Sequence, residues 1–94
     1  VALKFRQTAL DDLDSIWDYT VDRWGHAQGE TYLHALHQCC VELSTGVRRG
    51  LDSAHIRKNY RRCLIGRHVV FYHKNGDVII HRILHQSMDV PNQF

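Results

Sequence analysis

The sequence predicts an α+β domain: a short first strand, a two-helix hairpin, and a small antiparallel sheet with that hairpin packed on one face. Three observations carry this reading. Apolar residues recur at helical spacing from Leu10 to Trp24 and again from Tyr32 to Leu43. Gly25 leaves so short a connection between the two runs that they must fold back as an antiparallel pair. Two strand-like runs, "RHVVFYHK" and "DVIIHRILH", flank Asn75-Gly76, the dipeptide that best matches a tight hairpin turn. The 94 residues make one domain, 1–94, in the order β-α-α-β-β-β.

The first strand is "LKF", with Leu3 and Phe5 on one side. Thr8 is the expected N-cap of the first helix, and Asp11 and Asp12 suit its positive end. Leu10, Leu13, Ile16, Trp17, Thr20, Val21 and Trp24 form the apolar stripe, so both indoles are expected against the sheet or the hairpin seam. Gly25 stops that helix and Gly46 the next. Tyr32, Leu36, Cys39, Cys40 and Leu43 line the second helix, and Gly29 inside it costs roughly 1 kcal/mol relative to alanine.

"VRRGLDSAHIRKN" has no period and links the halves, with room for one helical turn. "YRRCLI" is the next strand, and Gly66 turns the chain into the hairpin. With Asn75 and Gly76 as the loop, Phe71 faces Ile80 and His68 faces Ile83. Val69, Phe71, Val78, Ile80 and Leu84 then share one face, and Val70, Tyr72, Ile79 and Ile83 the other. One helical hairpin covers one face only. The second needs the remaining loops, another copy or a partner. Pro91 ends regular strand, leaving "MDVPNQF" as an irregular tail with Met88 packed on the domain.

Composition narrows the function classes. No apolar run approaches a membrane span, and "VALKFRQTALDDL" does not read as a secretory leader. Cys39, Cys40 and Cys63 fit neither a disulfide framework nor zinc spacing and read as core thiols of a cytoplasmic protein. Residues 1–47 carry three basic and seven acidic side chains; residues 48–94 carry nine and three. The second half is therefore a solvated basic face or a surface for an acidic partner.

Eight histidines invite a metal reading, but this register puts His73 and His81 on opposite faces, so no metal site is expected. Acid–base cleavage of RNA is the most serious enzymatic reading. Arg61, Arg62, Arg67, His68, Arg82 and His85 gather near strand ends and would offer acids, bases and cations for a phosphodiester. The plainer account makes them strand polar residues on a basic surface.

"DLDSIWDYTVDRWG", "YRRCLIGRHVVFY" and "IIHRILHQSMD", in that order, resemble the ParE toxins of the RelE/ParE superfamily, with "RILHQSMD" the most specific element. The likeness runs from Ala9 to about Val90. It implies a bacterial type II toxin that inhibits DNA gyrase and is wrapped by a ParD-like antitoxin in a hetero-oligomer. It implies no cofactor, no membrane, and no nucleic-acid binding by the toxin alone. The RelE cousins cut messenger RNA on the ribosome instead. Where they carry an arginine before the first hairpin strand, this chain has His68. Their arginine at the exit of the last strand falls near His85 or Gln86, and no tyrosine follows Tyr72 to match their terminal one. The broken set favours the gyrase branch and no catalytic residue. One departure from ParE itself is "STGVRRG", which lacks the proline often found before that glycine. Arg61, Arg62, Arg67, His68, Arg82, His85 and Met88 are the candidates for binding a target or partner. In "RILHQSMD", Ile83 and Leu84 are expected to pack on opposite faces and Asp89 to pair with an arginine.

Overall fold

Leu3–Phe5 forms β1, and a single residue separates it from α1, Gln7–Trp24. The structure is a computed structural model that describes residues 2–88 and 90–94, with the backbone alone at residue 91. Helix α2 is His26–Thr45, followed by β2 (Leu51–Asp52), β3 (Tyr60–Ile65), β4 (His68–Asn75) and β5 (Asp77–His85). A single turn of 3-10 helix, Val90–Gln93, closes the chain. The sheet order is β1-β5-β4-β3-β2. The α+β class, the helical hairpin and the three long strands are as the sequence predicts.

Several details differ. The sheet is mixed, because β1 runs parallel to β5. A parallel pair needs a long crossover, and the helical hairpin lies within the connection. The linking segment contributes the extra strand β2, which pairs with Arg61 and Arg62 of β3. Arg6, not Thr8, stands at the N-cap of α1; the Thr8 hydroxyl donates to the His81 carbonyl and ties the helix to β5.

The hairpin register also differs. Asn75 faces Asp77 across Gly76 alone, and Tyr72 faces Ile80. A bulge then inserts one extra residue of β5 opposite Phe71 and Tyr72, so Val70 faces Ile83 and His68 faces His85. A one-residue shift exchanges the faces of a strand, and a bulge exchanges them back. Val70, Tyr72, Val78, Ile80 and Ile83 therefore all pack under the helices with Ile16, Leu36 and Leu43. His73 and His81 come to the same region of the opposite face, their rings 6.2 Å apart.

That opposite face is covered by the chain itself. Val69, Phe71 and Leu84 form a second, smaller core under Ile56, Val90 and Phe94. The Phe94 ring stands edge-on to both Tyr60 and Phe71 at 5.4 and 5.3 Å. So Ile83 and Leu84 do pack on opposite faces, as expected. Met88 does not pack: it is 47% exposed. The expected pairing of Asp89 falls outside the described residues.

Gly29 has a clear reason to be glycine. A Cβ there would lie 2.8 Å from Val21 and 3.1 Å from Trp17, so its absence lets α1 and α2 approach closely. Trp17 fills that seam, edge-on to His26. Trp24 does not join it and is 67% exposed, because burial along α1 ends at Thr20 and its final turn overhangs the core. All three cysteines are buried thiols. Burial pushes Cys39 and Cys40 up to about 12, and the Cys39 and Cys63 sulfurs lie 3.6 Å apart.

Candidate functional site

The end of the sheet where β4 begins and β5 ends lies beside the helical hairpin. Two contiguous grooves open there. One, of about 460 Å³, runs between α1 and the end of β5, with Asp12, Ile16, Ile83 and Met88 in its walls. The other, of about 820 Å³, lies between Trp24, Gln28 and Tyr32 of the helices and the Gly66–Arg67 turn. Tyr19, His68 and His85 line both grooves.

The local folding that builds this surface is simple. His68 and His85 are direct partners at the open end of the hairpin, with rings 5.3 Å apart and nearly perpendicular. Gly66, in the left-handed conformation at φ +55°, lets the β3–β4 turn pass against the Tyr32 ring, where a Cβ would meet the hydroxyl at 2.8 Å. The Tyr32 hydroxyl is 2.6 Å from His68 Nδ1 and accepts from the Arg67 main-chain N–H at 3.3 Å. Ser87 folds back on His85, its hydroxyl 2.7 Å from Nδ1.

These contacts set the electrostatics. Burial, and then the neighbouring His85, hold His68 below the ordinary histidine range. Burial raises Tyr32, and the Arg67 N–H and charge only partly oppose it. Both groups are therefore neutral near pH 7. The Arg23 guanidinium lies over the exposed Tyr19 ring at 5.1 Å, a cation–π contact at the rim.

The seven predicted residues divide. Arg67, His68, His85 and Met88 meet at the grooves. Arg61 and Arg62 do not join them: Arg61 donates to the Gly50 carbonyl at 2.8 Å, and Arg62 to the Asp52 carbonyl and Ser53 hydroxyl. They hold the linking segment onto the sheet. Arg82 grips Asp12 through two hydrogen bonds of 2.8 and 2.9 Å and reaches the Gln93 carbonyl at 2.7 Å. That leaves the carboxylate in the groove wall neutralised by its partner.

Sequence reasoning missed Tyr19, Trp24 and Tyr32. Trp24 and Tyr32 belong to helical stripes and read as core, while Tyr19 lies off the stripe of α1 and carries no signal of its own. Only the overhang of α1 and the approach of the β3–β4 turn make them a surface. The arrangement offers aromatic and apolar anchors with Arg67 and Arg23 beside them, which is the composition of a protein-binding hot spot.

Comparison with known proteins agrees with this architecture. The family model described as "ParE toxin of type II toxin-antitoxin system, parDE" matches residues 3–90. A protein named Toxin ParE1 from Caulobacter vibrioides is 38% identical over 86 residues, covering 92% of this chain and 90% of its own. Another Toxin ParE1, from Mycobacterium tuberculosis H37Rv, is 40% identical over 80 residues, covering 83% and 82% respectively. A solved structure titled "Chromosomal ParDE TA system from P. aeruginosa" superposes with a TM-score of 0.77 at 20% identity, over 90% of this chain and 95% of that one. At that identity the likeness is one of fold.

Proposed function

The chain belongs to the family of ParE toxins of type II toxin–antitoxin systems, and from that premise we propose that it inhibits DNA gyrase by binding, without chemistry of its own. In this reading it works in the cytoplasm and is neutralised by a ParD-like antitoxin that covers its apolar surface. The observation that carries the binding reading is Trp24: an indole 67% exposed, at the rim of a groove of about 820 Å³. Exposed aromatics at a concave apolar site are where binding energy concentrates. Tyr19, Arg67, His85 and Met88 extend the same surface.

The alternative is ribosome-dependent cleavage of messenger RNA. Its support is the Tyr32–His68 contact of 2.6 Å, which sets a phenol and an imidazole side by side next to a second imidazole. One paired experiment separates the two. Purified wild-type protein and Trp24→Ala are assayed for gyrase supercoiling and for cleavage of ribosome-bound message. Wild type is expected to inhibit supercoiling and leave message intact. Trp24→Ala is expected to fold normally and inhibit at least tenfold more weakly, the loss typical of a hot-spot aromatic of about 2 kcal/mol or more. Message cleavage without gyrase inhibition, abolished by His68→Ala or Tyr32→Phe in a folded protein, replaces this reading with the enzymatic one.

A further inference from the structure

Directly opposed residues of an antiparallel pair hold their side chains on one face, and His68 and His85 stand in that relation. Their ring centroids are 5.3 Å apart with the planes at 89°. Two imidazoles on one tetrahedral zinc, at Zn–N distances of about 2.0–2.1 Å, place their ring centres about 5 Å apart. The pair already has that spacing. The other close histidine pair, His73 and His81, is 6.2 Å apart with planes at 37° and does not.

The side-chain partners of both rings are able to accept a proton from Nδ1. Nδ1 of His68 faces the Tyr32 hydroxyl, itself 3.5 Å from the Ile65 carbonyl, which can accept the phenol proton. Nδ1 of His85 faces the Ser87 hydroxyl at 2.7 Å. An imidazole that donates from Nδ1 to such a partner presents the bare Nε2 lone pair, the usual orientation of a histidine ligand. The Ser87 main-chain N–H, 3.1 Å from His85 Nδ1, favours the other tautomer, so ligation at Nε2 works against that one contact. Both rings line both grooves and are reachable by an ion from solution.

Two opposing features set the class of ion. Arg67 lies close by and repels a cation, and no group of three histidine, cysteine or carboxylate side chains suited to a metal occurs among the described residues. A hard cation, which needs oxygen donors and charge, gains little here. A borderline metal gains directed bonds to neutral nitrogen. The cysteines do not compete, because all three are buried in the core and none lines either groove.

We propose that His68 and His85 form a cross-strand two-imidazole site for a borderline divalent transition-metal ion of the zinc, nickel or copper class. Its remaining coordination positions open into the grooves and are filled by water in the free protein. This site does not depend on the gyrase reading.

The test is calorimetric titration of the whole metal-free chain with Zn²⁺, repeated on His68→Ala, His85→Ala, Tyr32→Phe and His73→Ala. Wild type is expected to take up one saturable equivalent. Either His68→Ala or His85→Ala loses it, and His73→Ala keeps it. Tyr32→Phe keeps binding but weakens it by about tenfold, the loss usual for an outer partner. Thermal melts establish which variants are folded. If His68→Ala does not fold, His85→Ala at the strand end carries the test. No saturable uptake by wild type overturns the proposal. So does unchanged uptake by the folded histidine variants, or equal loss in His73→Ala.

Discussion

Asp12 shows what one side chain does in this fold. Its carboxylate takes two hydrogen bonds from Arg82, and one oxygen also accepts the Ile83 main-chain N–H at 2.9 Å. The two side chains are only 14% and 20% exposed. Removing the acid strands a guanidinium and a main-chain donor in a largely dry place, which costs about 2–4 kcal/mol. Asp12→Ala is therefore expected to lower the melting temperature by roughly 10 °C or more, read by circular dichroism. Asp12→Asn keeps an acceptor and is expected to lose less. From sequence, Asp12 reads only as an acid suited to a helix N-terminus. Its true partner is 70 residues away, and no local pattern encodes a pairing at that distance.

Among the elements, the C-terminal turn departs furthest from what its sequence suggests. "MDVPNQF" reads as an irregular tail held by Met88, with proline breaking the strand and few apolar side chains. Val90 and Phe94 in fact cover Val69, Phe71 and Leu84, and Phe94 makes two aromatic edge contacts. The segment replaces the second layer that a single helical hairpin cannot provide. Deleting residues 90–94 exposes that face and removes ring contacts worth about 0.5–1.5 kcal/mol each. The truncated chain is expected to lose about 2–4 kcal/mol in urea unfolding. Phe94→Ala alone should account for most of the loss, and a truncation as stable as the full chain would show the tail idle. The hairpin carries a related lesson. Asn75-Gly76 identifies the turn, but the register depends on one residue, and the bulge near His81 is invisible in the alternation pattern. That bulge puts Ile80 and Ile83 on one face, three positions apart.

For the whole molecule, the basic second half is less available than its composition implies. Arg61, Arg62 and Arg82 are spent on internal contacts, while Arg49, Arg57, Lys58 and Arg67 remain exposed. A basic surface of separated, solvated charges speeds encounter with an acidic partner more than it holds the complex. The complex with a ParD-like antitoxin is therefore expected to keep most of its affinity as salt rises from low to physiological levels, with the decline falling mainly on the association rate. Removing apolar anchors from the antitoxin segment is expected to raise the dissociation rate instead. Stopped-flow association and surface-based dissociation measurements check this. Affinity abolished by moderate salt but indifferent to the apolar anchors would reverse the assignment.

What the sequence determined by itself is what local chemistry can specify. Periodicity located both helices, glycines placed their ends, and Asn75-Gly76 located the hairpin; Ile83 and Leu84 were legible as residues of opposite faces. Tertiary structure alone decided the parallel first strand, the register beyond the turn, and the cover over the second face. It also decided which candidates meet: Arg67, His68, His85 and Met88 at one end of the sheet, joined by Tyr19, Trp24 and Tyr32 from the helices. The reason is physical. A helical stripe tells which side of a helix is apolar, but not where the opposing layer stops. Trp24 belongs to its stripe as fully as Trp17 does. One fills the seam where α2 passes closely at Gly29, and the other lies beyond the last buried turn and becomes surface.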